Sequence, residues 1–170
     1  GSEMCIRDSY RGAGEMDKGG QGEKPRIVVD ASVAVKWVIE GEPWETQART
    51  LLESIVSRKI EAYAPTLFLY EVASVMLRSA ARNVLKLVDG IKALKAMGNL
   101  GINVEMTSWN DLAEILKIAA TTNLTIYDST YLHLSKKVKA KLVTVDKELK
   151  RKGEKVAETI LLKDLAPTFG

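Results

Sequence analysis

Four carboxylates in this 170-residue chain are set in apolar sequence, away from the solvated helix faces where acids usually lie. Asp30 ends the β-branched run Ile27-Val28-Val29, and Asp146 ends Leu142-Val143-Thr144-Val145. Glu71 lies within the helical pattern Thr66 to Met76, with Leu67, Phe68 and Val75 at the spacings that share its face. Asp128 stands near the head of another helical run, Tyr127 to Lys136. A buried carboxylate without a partner is very unfavourable, so each must find a cation, a donor or water, or take up a proton. If the four meet, two of them about 4 Å apart repel by roughly 4 kcal/mol at an effective dielectric near 20. Such a cluster either raises its pKa values or admits a divalent cation, and an all-oxygen donor set favours Mg²⁺ or Mn²⁺ over Zn²⁺. Carboxylate-held Mg²⁺ keeps several waters, activates one and neutralises charge on a phosphate, which points to phosphodiester hydrolysis.

Composition narrows the chemistry in the same direction. One histidine, His133, and one cysteine, Cys5, cannot furnish a His/Cys zinc site, a paired-histidine ribonuclease or a Cys-His protease. A lone cysteine and the lack of a charged-then-apolar leader make a cytoplasmic address the expectation, and no apolar run is long enough for a membrane helix. Each acid also has a structural reading. Asp128 and Asp146 precede helices and can be N-caps, Asp30 before Ser32 can open a turn, and Glu71 can pair with Arg78 or a lysine. Taken singly those readings are the stronger ones; the joint placement favours a site.

The elements that must position the four acids read as alternating strands and helices. Residues 1–24 hold six of the twelve glycines and little periodicity, and are expected to be a disordered leader or tag, with Gly1-Ser2 a cloning remnant and Met16 a plausible native start. They carry four of the 25 basic and five of the 22 acidic residues, leaving 21 against 17 for the domain at 25–170. Strands are expected at 26–29, near Ala62 and Tyr63, and at 102–106, 141–145 and 159–162. Helices are expected through 33–38, from Pro43 through Ile55, from Pro65 past Met76, and at 84–97, 108–120, 127–136 and 147–152, the last stopped by Gly153. This alternation predicts an α/β fold with a parallel sheet covered by helices. The carboxyl ends of parallel strands open onto one crevice, so Asp30 and Asp146 can project into the same site.

The segments Ile27-Val28-Val29-Asp30-Ala31-Ser32, Tyr70-Glu71-Val72-Ala73, Thr125-Ile126-Tyr127-Asp128-Ser129-Thr130-Tyr131-Leu132 and Thr144-Val145-Asp146-Lys147-Glu148-Leu149 resemble, in order, the motifs of PIN-domain nucleases of the VapC toxin type, over Arg26 to Leu165. The resemblance implies a three-layer α/β/α fold with a five-stranded parallel sheet, and a homodimeric, Mg²⁺- or Mn²⁺-dependent endoribonuclease acting on RNA, with a VapB-type antitoxin as partner. It also implies that Asp30 and Asp128 hold the metal most directly, that Asp146 binds it directly or through water, and that Glu71 orients the attacking water. Thr144 would hold water near Asp146, and Ser32 matches a small polar position beside the first acid. Three alternatives stay open: a PIN-type nuclease of RNA maturation, a non-catalytic, Mg²⁺-binding receiver-like signalling domain, which has no need of an acid like Glu71, and a degenerate PIN fold retained for binding alone.

Other residues carry expectations of their own. Lys136, Lys137, Lys139, Lys141, Lys147, Lys150, Arg151, Lys152 and Lys155 form the most basic tract, able to guide a phosphate backbone, although solvated lysines are the commoner case. His133 reads as a helix-surface or dimer-contact residue, and Trp37, Trp44 and Trp109 read as packing residues. Asp111, three residues after Ser108, reads as the acid of a capping box. The runs Val33 to Ile39 and Leu51 to Ile55 suggest exposed apolar surface for a dimer or an antitoxin.

Overall fold

The computed structural model describes residues 22–166. Residues 1–21 of the expected leader, with Cys5 and Met16, lie outside the described residues. Five strands, β1 (Arg26–Val29), β2 (Glu61–Pro65), β3 (Asn103–Glu105), β4 (Lys141–Thr144) and β5 (Thr159–Leu161), form one sheet in the order β3-β2-β1-β4-β5. Every pairing is parallel. The helices are α1 (Ala31–Ala34), which continues into a 3-10 turn at Val35–Trp37, α2 (Glu45–Val56), α3 (Thr66–Ala81), α4 (Leu87–Met97), α5 (Trp109–Thr122), α6 (Ile126–Val138) and α7 (Lys147–Gly153). The expected α/β fold and its five-stranded parallel sheet are therefore present.

The central strands β1 and β4 are covered on both faces, which is why Ile27-Val28-Val29 and Leu142-Val143 are unbroken apolar runs and not alternating ones. From β1 the chain steps outward to β2 and β3, then returns across the sheet to β4 and β5. Right-handed crossovers place α1 to α4 on one face and α5 to α7 on the other. In agreement, α6 packs on β1, β2 and β4 and touches both α5 and α7, while α3 packs on α1 and α4. The direction of winding reverses between β1 and β4, where such sheets open a crevice at their carboxyl edge.

Several boundaries move for local reasons. The helix expected from Val84 starts at Leu87, because the preceding residues terminate α3. Asn83 takes a left-handed φ of 57°, and the Val84 amide donates back to the Ser79 carbonyl at 2.9 Å. Helix α2 begins after Pro43 because Trp44, at φ 62°, stands outside it as the N-cap. Gly153 is the last residue of α7 and does more than stop the helix: a Cβ there would lie 2.7 Å from a Leu132 methyl carbon. The absent side chain lets α7 sit against α6.

The apolar surface lies elsewhere than the sequence suggested. Val33, Leu51 and Ile55 are buried, and Trp37, Val38 and Ile39 pack against the core, because α1 and α2 press their apolar sides inward. The exposed apolar residues include Leu69, Tyr70 and Leu77 of α3, Leu87, Val88 and Ile91 of α4, and Trp109, Leu112 and Leu116 of α5, with Val56 at the end of α2 beyond the run expected to be exposed. Trp37 is a packing residue as expected, its indole donating to the Ala48 carbonyl at 2.9 Å. Trp109 is 88% exposed and packs on nothing, and Trp44 lies beneath the Lys36 ammonium, 5.6 Å from its ring centre. No helix among the described residues is long and apolar enough to cross a membrane.

Helix α6, which carries one of the four acids, also buries the hydroxyls of Ser129 and Ser135, neither of which has a partner among the described residues. An unsatisfied buried hydroxyl costs about 1–3 kcal/mol, and alanine is the better helix former. Ser135→Ala is expected to raise stability by ~1 kcal/mol and the melting temperature by roughly 2–4 °C. Thermal denaturation followed by circular dichroism checks this, and a lower melting temperature would show that the hydroxyl is engaged.

Candidate active site

Asp30 follows β1 directly. Its amide extends the β1–β4 ladder by donating to the Val143 carbonyl at 3.0 Å, so its side chain leaves the sheet where the winding reverses. Although Asp30 is the N-cap residue of α1, its carboxylate makes no capping bond. Oδ2 instead accepts from the Ser32 hydroxyl at 2.8 Å and from the Thr144 hydroxyl at 2.6 Å. Asp30 is 8% exposed, and its burial pushes the carboxyl pKa up against the pull of those two hydroxyls, with the Asp146 charge adding to the rise.

Thr144 has a buried hydroxyl that donates to Asp30 and accepts from the Asp146 amide at 3.1 Å. It therefore ties the two strand ends together. Ser32 does the same from the other side, accepting from the Val145 amide at 3.3 Å.

The readings of Asp128 and Asp146 separate. Asp146 does cap α7, its Oδ1 accepting from the amides of Glu148 (2.8 Å) and Leu149 (3.1 Å), so only the second oxygen is left for other work. Asp128 does not cap α6. That role belongs to Thr125, whose hydroxyl accepts from the Asp128 amide at 3.0 Å. Burial raises the Asp128 pKa, the negative charges of Asp30 and Asp146 raise it further, and the Thr125 hydroxyl offsets part of the rise.

Among the described residues Glu71 forms no ion pair with Arg78 or any lysine. Its Oε1 accepts from the Tyr131 hydroxyl at 2.9 Å. Burial raises its pKa, the Tyr131 hydrogen bond partly offsets this, and the charges of Asp30 and Asp128 push it higher. The structure thus brings the four acids into one electrostatic neighbourhood. Among the described residues none of them pairs with a cation.

The same four do not form a closed cage, since no group of three or more His, Cys, Asp and Glu among the described residues lies close enough to hold a metal ion. The expectation that they converge onto one magnesium-sized point is not met at that tightness. The donor set still fits a hard divalent cation held partly through water: it is all carboxylate, its members repel one another, and Mg²⁺ commonly binds through one or two carboxylates while keeping its waters.

Tyr131 is the site residue that sequence reasoning missed. The available signal was its place three residues beyond Asp128, on the same face of an otherwise apolar helix, where a phenol needs a partner. His133 is tied down within the protein: its Nε2 lies 2.9 Å from Asp111 Oδ1, joining α6 to α5. Asp111 also closes the expected capping box with Ser108 and pairs with Lys137. Much of the basic tract is likewise paired, Lys141 with Glu158, Lys150 with Glu154 and Lys152 with Glu148. Lys136, Lys139, Lys147 and Lys155 make no ion pair among the described residues, and Lys147 adjoins Asp146.

The model of the PIN domain family matches residues 27–155, most of the chain and all four acids. The chain belongs to the PIN-domain family. It is 29% identical over 131 residues to Ribonuclease VapC3 of Pyrobaculum aerophilum, covering 75% of this chain and 94% of that protein. In fold it is similar to Mycobacterium tuberculosis VapC20, a sarcin-ricin loop cleaving toxin, with TM-score 0.60, 14% identity and coverage of 75% and 95% of the two chains. It is also similar to VapBC2 from Rickettsia felis bound to a DNA fragment from their promoter, with TM-score 0.58, 15% identity and coverage of 80% and 98%. The resemblance read from the four segments of sequence is thereby upheld.

The raised carboxyl pKa values give stability a definite pH dependence. Between the ordinary values of 3.8 and 4.5 and the higher folded ones, the folded protein binds more protons than the unfolded chain, so stability falls as pH rises through that window and stays reduced above it. Asp128→Asn removes one repelling charge. It is expected to melt at a higher temperature than the parent near pH 7, with the gap closing as the pH is lowered toward 4. Mg²⁺ should raise the parent's melting temperature more than the variant's. Melting curves in EDTA and in excess Mg²⁺ at both pH values check this.

Proposed function

We propose that this protein is a divalent-metal-dependent endoribonuclease, the toxin of a type II toxin–antitoxin pair, which hydrolyses RNA phosphodiester bonds with an activated water. The observation that carries this reading is the set of carboxylates from β1, α3, α6 and the end of β4, uncompensated by any cation among the described residues, at the point where the sheet reverses its winding. Family membership and the name of the Pyrobaculum relative support it. A phosphoacceptor site has no use for Glu71, so the receiver-like alternative finds no support.

In this reading Asp30, Asp128 and the uncapped oxygen of Asp146 hold Mg²⁺ or Mn²⁺. The bound ion supplies charge neutralisation at the phosphate and lowers the pKa of water. Ser32 and Thr144 fix the Asp30 carboxylate through one oxygen and leave Oδ1 for the ion. Glu71, whose pKa is shifted toward neutrality, aligns the attacking water and takes its proton, the task for which a raised carboxyl pKa is suited. Lys147, beside Asp146, guides the polyanionic backbone toward the acids.

The partners follow from the surface. The exposed apolar residues of α3 and α4 are contiguous through the packing of those two helices, and they suit a self-complementary dimer face. A VapB-type antitoxin is the second partner, in keeping with the Rickettsia pair. In this reading the protein acts on RNA in the cytoplasm.

Two experiments test the proposal. The purified chain, freed of any antitoxin, should cleave RNA in Mg²⁺ or Mn²⁺ and lose activity in EDTA, and Asp30→Asn or Glu71→Gln should cut the rate by about 10²–10⁴-fold with an unchanged circular dichroism spectrum. Absence of cleavage in either metal would refute the assignment. Light scattering should give a dimer, and Leu77→Asp with Ile91→Asp should give a folded monomer. A parent chain that is already monomeric would remove the dimer from the proposal.

A further inference from the structure

Tyr131 is 1% exposed and one of the largest fully buried side chains, yet its hydroxyl emerges among the acids. It belongs to α6, on one face of the sheet, and it donates to Glu71 of α3, on the other face, at 2.9 Å. This single hydrogen bond joins the two helical layers at the carboxyl edge, between residues sixty positions apart in sequence. It is the only hydrogen bond to the Glu71 carboxylate among the described residues. From this geometry we propose that Tyr131 is a positioning residue, which clamps one oxygen of Glu71 so that the other faces the reacting water. The inference rests on the nuclease reading of the same site and goes beyond it in assigning a role to a residue outside the four acids.

The physical need for a clamp is specific. Glu71 has a flexible three-bond side chain, is only partly buried, and is repelled by Asp30 and Asp128, the two acids whose charges reach it. Unrestrained, its carboxylate would turn toward solvent and away from the other acids. The phenol opposes that turn from a direction that needs no added cation. Burial, with Asp30 and Glu71 close by, drives the Tyr131 pKa far above its ordinary value, so the group stays a hydrogen-bond donor throughout the working pH range. A lysine in its place would hold Glu71 as well but would neutralise it; a neutral donor orients the carboxylate and leaves it able to accept a proton.

Tyr131→Phe keeps the buried ring and removes only the hydroxyl. Under saturating RNA and Mg²⁺ the variant is expected to lose about 10–100-fold in kcat, the range seen when a supporting hydrogen bond to a site group is removed, with KM within about twofold. Its melting temperature should stay close to that of the parent. Loss of the bond also destabilises ionised Glu71, so the acidic limb of the rate profile should move to higher pH. In a Glu71→Gln background the Tyr131→Phe change should cost little more, because the two act as one unit. A kcat within about twofold of the parent, or an equal further loss in the Glu71→Gln background, overturns the proposal. Carbon-13 NMR titration of Glu71 in full-length parent and Tyr131→Phe protein reads the clamp without turnover: its pKa should rise in the variant, and an unchanged value overturns the clamp whether or not the parent cleaves RNA. A parent that binds and titrates as described but cuts no RNA would sink the nuclease reading alone.

Discussion

Like charges held near one another in a partly desolvated crevice are the constraint to which the rest of the structure answers. The carboxylates of Asp30, Glu71 and Asp128 all titrate above their ordinary range, for burial first and for one another's charge second. Nothing in the described protein neutralises them. Hydrogen-bond donors hold them instead: Ser32 and Thr144 at Asp30, Tyr131 at Glu71, main-chain amides at Asp146. Neutral donors restrain a carboxylate without cancelling its charge, so the negative potential of the crevice survives folding and is available to a cation.

That arrangement depends on the sheet. Because β1 and β4 are adjacent and parallel, Asp30 and Asp146 emerge at one edge, and two hydroxyls can bridge the strand ends. Because the crossovers run on both faces, a helix from each layer can reach that edge, α3 with Glu71 and α6 with Asp128 and Tyr131. The core beneath is built from fully buried β-branched and leucine side chains, which give the edge a stiff base. The strained repulsion of the site is supported by apolar packing that lies elsewhere.

The polar surface divides along similar lines. Asp111 serves three partners at once, Ser108, His133 and Lys137, and in doing so joins α5 to α6. Those bonds hold its carboxyl well below the ordinary range, opposite in sign to the shifts of Asp30, Glu71 and Asp128. Acids with opposite shifts in one small domain mark two uses of the same chemical group: Asp111 is satisfied and structural, whereas the crevice acids are left wanting a partner. Much of the basic tract is spent on neighbouring glutamates, which confines its pull on a polyanion to a few lysines such as Lys147.

Sequence alone determined the strand-helix alternation, the parallel sheet and the four unusual acids, because hydrophobic period and the placement of a charge in an apolar run are local properties of the chain. It also carried the capping box at Ser108 and Asp111, since that motif spans one helical turn. Tertiary structure decided what local pattern cannot reach. The caps of α6 and α7 also lie within one helical turn, but the residue types at Asp128 and Asp146 fit a cap and a site alike, and only the side-chain geometry shows that Thr125 caps α6 and Asp146 caps α7. Tyr131 meeting Glu71, and Thr144 being spent on Asp30, depend on contacts between residues sixty and more than a hundred positions apart. The exposed apolar surface moved from α1 and α2 to α3, α4 and α5 for the same reason: an amphipathic pattern shows that a helix has an apolar side, and only the packed layers show which sides remain uncovered.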